Sequence, residues 1–182
     1  MEPQANRIVK SLQGLFTMLA VIICVVVLLV ALNWLPSLIQ KDYARQFQNV
    51  EEAKKAAGMA TILMPAYFPE GIEWPPSFIV AQKKPYQALM TEFVKTSSGA
   101  TFLVIVQASS PEASKQFLRI RLHDIREETG YVLRGRPATL RVGICDGTLC
   151  SEIQWTERSD YYDVVYKASP FELIKVAESM IR

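Results

Sequence analysis

Histidine occurs once in the 182 residues and cysteine three times, so the chain is poor in the side chains that hold transition metals. A structural zinc site takes four such ligands. Cys24 sits inside an apolar run and His123 stands alone, which argues against zinc on donor count. Also missing are a glycine-rich phosphate loop, a nucleophile elbow and a metalloprotease helix motif. A strong excess of charge is absent too: the formal net charge is +2, which argues against a polyanion-binding protein and nucleic acid as a partner. No internal repeat and no low-complexity tract interrupts the chain. These absences point away from catalysis and cofactor binding; no catalytic, cofactor or metal residue is assigned.

What is abundant is apolar side chains, at 50% of the sequence, and they are unevenly placed. The segment from Leu15 to Leu35, LFTMLAVIICVVVLLVALNWL, carries no charge. Roughly 20 helical residues cross a hydrocarbon core of about 30 Å, and lipid leaves backbone groups no partners but each other. The run therefore predicts a transmembrane helix over 15–35, with Trp34 as a membrane-interface anchor and Pro36 marking its end. A cleaved signal peptide competes with this reading, but the run is long for one and no small-x-small site follows it. Arg7 and Lys10 precede the run, while Lys41 and Arg45 follow it. A short cytoplasmic tail over 1–14 and an extracytoplasmic domain in the inner or plasma membrane's outer compartment is the preferred orientation.

The stretch ICDGTLC then gains meaning. Asp146-Gly147 tolerates the positive φ of a tight hairpin turn, and a DGTL loop would set Cys145 opposite Cys150 at disulfide distance. Four intervening residues do not suit a thioredoxin-like motif. A disulfide between Cys145 and Cys150 is expected on the oxidising side of a membrane.

Residues 36–58 read as a juxtamembrane helix or stalk, with Gly58 as its stop. Residues 59–182 read as one α+β domain of antiparallel sheet with flanking helices. It opens with a loop carrying Pro65, Pro69, Pro75 and Pro76, whose aromatics Tyr67, Phe68 and Trp74 either contact a partner or cover the edge of the core. FIVAQK, YQALMTEFVK, ATFLVIVQAS, TLRVGI, SEIQWTE and YDVVYKA read as strands. Ser110 and Pro111 start a helix that Gly130 could stop, with Leu118, Leu122 and Ile125 on one stripe. The alternation of Leu118, Ile120 and Leu122 with arginines and His123 speaks instead for strand, so 117–129 stays open. Ser169, Pro170 and Glu172 form the pattern of a capping box that opens a final helix, with Phe171, Ile174, Val176, Ala177, Met180 and Ile181 on its apolar face.

The order EEAKKAAGMATILMPAYFPEG, strands, RVG, the tryptophan of EIQW and YDVVYKASPFELIKVAESM resembles the extracytoplasmic C-terminal domains of anti-sigma factors and sporulation-linked membrane proteins. The resemblance spans roughly Val50 to Met180 and is similar, more distantly, to a periplasmic regulator domain that binds an anti-sigma factor. It implies a non-catalytic module used in sensing or protein contact. CDGTLC and the arginine-rich segment depart from that pattern. About a dozen residues precede the apolar run, so sigma-factor binding is not carried over.

Two clusters remain. His123, Asp124, Glu127 and Glu128 could place a histidine and carboxylates within one helical turn, the basis of an alternative reading as an anchored hydrolase or metal-dependent enzyme. Arg119, Arg121, Arg126, Arg134, Arg136 and Arg141 could form a basic contact surface for anionic lipid or an acidic partner. The leading expectation is a non-enzymatic, membrane-anchored interaction module. It would be an accessory or structural subunit of a bacterial membrane protein complex, with the lipid bilayer and a larger membrane protein as partners. An extracytoplasmic sensor of the anti-sigma type is the nearest alternative.

Overall fold

The computed structural model describes residues 16–30, 44–72 and 74–181, in two compact units, Met1–Lys41 and Asp42–Arg182. In the first unit, residues 16–30 form helix α1, whose apolar side chains are all exposed, from Phe16 at 65% to Val30 at 59%. Among the described residues no helix is long and apolar enough to cross a membrane. The remainder of the uncharged run, Trp34 included, lies outside the described residues, as do residues 1–14 and 36–43.

The second unit is α+β: an eight-stranded, fully antiparallel sheet with helices on both faces. Its strands are β1 (Arg45–Phe47), β2 (Phe78–Gln82), β3 (Ala88–Val94), β4 (Thr101–Ala108), β5 (His123–Leu133), β6 (Arg136–Cys145), β7 (Thr148–Glu157) and β8 (Asp160–Tyr166). Helix α2 is Val50–Ala57, α3 is Pro111–Phe117 and α4 is Pro170–Met180. The order across the sheet is β1-β2-β3-β4-β8-β7-β6-β5. Two four-stranded meanders thus meet in the middle, where Ile105 of β4 opposes Val164 of β8. Helix α3 carries the chain from the centre to the far edge.

Period-two patterning assigns the two faces. On β7, Ile153 and Trp155 alternate with Glu152 and Gln154; on β8, Tyr162 and Val164 alternate with Asp163 and Val165. The first set faces α4, whose Leu173, Val176, Ala177 and Met180 are buried against it. Helix α2 covers Ile79, Ala81 and Leu89 on the same face. On the opposite face α3 inserts Ala113 and Phe117 over Met90, Val104, Val106 and Val165. Full burial of a side chain such as Leu173 stabilises the fold by about 1.5–3 kcal/mol.

Several expectations need correction. The helix expected over 36–58 is interrupted: within the described part, residues 45–47 are strand β1, paired to β2, and only Val50–Ala57 is helical. Asn49 sets that start by accepting the Glu51 N–H at 2.8 Å, and Gly58 ends it at φ 70°. A three-residue strand is too short for its periodicity to show against a helical one. Gly130 stops no helix; it lies inside β5, and α3 ends at Phe117. Leu118 and Ile120 are buried while Arg119 and Arg121 are exposed, so the alternation reports extended chain leading into β5. The two-residue turn Asp146-Gly147, with φ 49° and 77°, replaces the expected four-residue DGTL loop. Cys145 therefore opposes Thr148 and Cys150 opposes Gly143, and the cysteines meet diagonally. Phe171 is 75% exposed rather than docked. Glu172 does not complete a capping box, since its carboxylate binds Tyr67 and Lys175.

Candidate interaction surface

Helix α3 covers only the centre of its face of the sheet. Beyond it, toward β5, that face carries polar side chains in register: Glu128 opposes Arg141, Arg141 opposes Glu152, and Gln154 opposes Asp163. Antiparallel partners share a face, so these residues form a seam running from the β5 edge to the foot of α3. Arg141 donates through Nε to Glu128 at 2.9 Å and lies 3.5 Å from Glu152 through Nη1. Burial alone would lower the Arg141 pKa, but Glu128 and Glu152 outweigh it and raise it. The seam ends at Asp163, which is fully buried and accepts from Ser114 Oγ and Gln154 Nε2, each at 3.1 Å. Burial, and then the charge of Glu152, push the Asp163 carboxyl well above the usual carboxylate range.

Over the seam opens a cleft of about 380 Å³. Leu118, Leu122 and Ile125 wall it on one side, Arg141, Glu152 and Gln154 on the other, with Lys115 and Arg121 among its lining. The apolar wall comes from the extended stretch after α3, which buries alternate residues and leaves Ile125 51% exposed. Such an apolar groove with a few fixed polar groups suits binding of a peptide segment or amphipathic surface.

The six arginines do not share one face. Arg119 pairs with buried Glu92 at 3.2 Å and stacks over Phe78, 4.1 Å from the ring centre. Arg121 lines the cleft and donates to the Lys115 carbonyl at 3.4 Å. Arg126 is exposed on β5. Arg134, in the β5–β6 turn, donates to the Ile181 carbonyl at 2.8 Å, and Arg136 pairs with Glu157 at 2.6 Å. Arg141 is spent on the seam. Three of the six are thus committed to carboxylates.

His123, Asp124, Glu127 and Glu128 lie along a strand, not within a helical turn, and a bulge between His123 and Glu127 offsets them. No group of three or more potential metal ligands exists among the described residues. In the proline-rich loop, Phe68 packs on Phe93 with ring centres 5.1 Å apart. Trp74 also approaches Phe93, at 6.4 Å, while staying 53% exposed. The Tyr67 hydroxyl donates to Glu172 at 2.5 Å, which raises the Tyr67 pKa and lowers that of Glu172. Cys145 and Cys150 are buried at disulfide distance, with Cα atoms 5.5 Å apart.

The seam was missed from sequence because Glu152, Gln154 and Asp163 sit among strongly apolar residues of strands. Their polar residues at alternate positions of EIQW and YDVV were the available signal, and they read equally as a solvated face. Comparison of the chain with protein-family models, with curated proteins and with solved structures finds no match.

Proposed function

We propose that the chain is a non-enzymatic, membrane-anchored interaction module that serves as an accessory subunit of a bacterial membrane protein complex. The observation that carries this reading is helix α1, apolar on every side and exposed on every side. A helix of that kind belongs in lipid or against a larger apolar partner. Its described residues span about 22 Å at 1.5 Å per residue, and the uncharged sequence continues to Leu35. The cysteine pair at disulfide distance supports an extracytoplasmic domain. The cleft beside Leu118, Leu122 and Ile125 offers that domain a contact surface.

The test is native-size analysis after extraction of the full chain from its own membranes in mild detergent, with mass spectrometry of what comigrates. Stoichiometric companions are expected, and substitution of Ile125 by Asp should release them. A chain that leaves the membrane in carbonate wash without detergent would overturn the anchor.

The sensor reading of the anti-sigma type rests on the resemblance over Val50 to Met180 and predicts a change in gene expression on deletion without loss of a complex. An enzyme built on His123 has less support, because the strand offsets the histidine from its carboxylates. His123→Ala should leave cellular function intact.

A further inference from the structure

We infer that the cleft beside helix α3 takes an extended, acidic segment of a partner protein, which sets apolar side chains on Leu122 and Ile125 and carboxylates on Lys115 and Arg121.

The inference rests on the interaction-module reading and names the partner's chemistry at that same surface. Charge in the cleft is one-sided. Lys115, Arg121 and Arg141 line it together with a single carboxylate, that of Glu152. Glu152 is already matched by Arg141 at 3.5 Å, and its side chain is only 8% exposed. Glu128 holds Arg141 from β5 and is not part of the lining. Lys115 and Arg121 are exposed, and neither pairs with a carboxylate among the described residues. Arg121 reaches only the Lys115 carbonyl, through Nη2. Two unmatched cations thus stand beside an apolar wall. A segment bearing carboxylates complements them, and a basic one meets like charge.

The backbone of that wall is a second, independent observation. Between α3 and β5 the chain is extended and buries alternate side chains, but it joins no ladder until His123. The N–H and C=O groups of Arg119, Ile120 and Arg121 form no hydrogen bond with the protein among the described residues. An added strand satisfies such groups and presents alternate side chains to one wall. A flat anionic bilayer suits the site less well. The arginines of this region do not share a face, and a cleft of about 380 Å³ lies at the small end of ligand pockets of roughly 300–1,000 Å³. It has room for a few residues of a narrow segment and none for a planar surface.

The experiment replaces Ile125 with a photo-reactive phenylalanine analogue in the full chain, cross-links it in its own membranes and identifies the attached peptide by mass spectrometry. The expected product is a stretch of another protein with net negative charge and at least one large apolar residue. Lys115→Glu and Arg121→Glu in the same chain should cut its yield several-fold. In parallel, the chain in a neutral detergent is titrated with fluorescent Glu-Leu-Glu-Leu-Glu and with Lys-Leu-Lys-Leu-Lys. The acidic peptide should bind several-fold more tightly and lose that preference on charge reversal. Its affinity should also fall with salt, as the Debye length shrinks from about 10 Å at 0.1 M to about 3 Å at 1 M. The salt series needs no variant, which keeps the test sound if the double substitution folds poorly. Equal binding of the two peptides, or cross-linking to a basic segment or to lipid, would overturn the proposal. Stoichiometric companions alongside equal peptide binding would sink this inference and leave the accessory-subunit reading standing. Preference for the acidic peptide in a chain that migrates alone would do the reverse.

Discussion

Gln107 holds the backbone of Leu63 in both directions: its side-chain carbonyl accepts the Leu63 N–H at 2.9 Å, and its amide donates to the Leu63 carbonyl at 2.6 Å. Gln107 is fully buried on β4, 44 positions away in sequence, so one side chain takes the place of a strand partner for the proline-rich loop. The prolines remove donors and keep that loop out of the sheet. The amide supplies what the ladder cannot.

Gln107→Leu should therefore detach the loop over 60–77 without dissolving the sheet. Two backbone groups lose their partner, at about 1–3 kcal/mol for each buried group left unsatisfied. Limited proteolysis should cut within this loop, with sites named by mass spectrometry. An unchanged cleavage pattern would show that the loop is held by Phe68 on Phe93 instead.

Removing the cysteine bridge should cost less than the core does. Cys145 and Cys150 are separated by 5 positions and close a very small ring, for which restriction of the unfolded chain is worth roughly 2 kcal/mol. Reduction is expected to lower the melting temperature by several degrees and add two hydrogens to the mass. A melting temperature indifferent to reductant would mean that the hairpin stands on the Asp146-Gly147 turn alone.

How far the sequence was legible follows from which interactions are local. The Asp146-Gly147 turn, the Ser110 and Ser169 caps and the Gly58 stop are set by neighbours along the chain, and each was readable. Glu172 looked like a capping-box residue because its spacing from Ser169 is right. Tyr67, 105 positions away, takes its carboxylate instead. The polar seam has the same character: each member looks like an ordinary exposed residue until β5, β6, β7 and β8 are set side by side. The α-to-β change after Phe117 was undecidable locally, because the β6 ladder that fixes β5 lies further along the chain.

Gly143 marks where that ladder is tightest. A Cβ there would stand 2.9 Å from the His123 carbonyl oxygen and 3.2 Å from that of Asp124, both backbone atoms that cannot swing aside. The close approach exists because the β5 bulge folds its extra residues toward β6. Gly143→Ala should destabilise the unit by about 1–3 kcal/mol through forced backbone displacement. Hydrogen exchange should quicken over 123–128 and remain slow in β4 and β8. Uniform acceleration would instead mean that the edge and the centre unfold together.

Asp163 makes the fold sensitive to pH in a direction opposite to most carboxylates. Its folded pKa is raised by burial and by Glu152, so above about pH 4 the folded chain retains a proton that the unfolded chain has released. The folded state then binds more protons, and stability must fall as pH rises, by at most about 1.4 kcal/mol per pH unit, until the folded pKa is passed. The stabilisation is fully present below the unfolded value and lost above the folded one. Asp146 and Glu172 act the other way, since Lys167 lowers the first and Tyr67 the second, but both do so as pH falls through the acid range. The difference between wild type and Asp163→Asn isolates the buried group. Asparagine keeps an acceptor for Ser114 and Gln154 and offers Glu152 an N–H without a titrating proton. Its melting temperature should be flatter than that of wild type as pH rises above about 4, and at least equal to it once the folded pKa is passed. Asp163→Ala should be less stable at every pH, because Ser114 and Gln154 lose their acceptor beneath α3. If the asparagine variant kept the wild-type slope, the proton would belong elsewhere, and the pinning of α3 to the seam would be independent of charge.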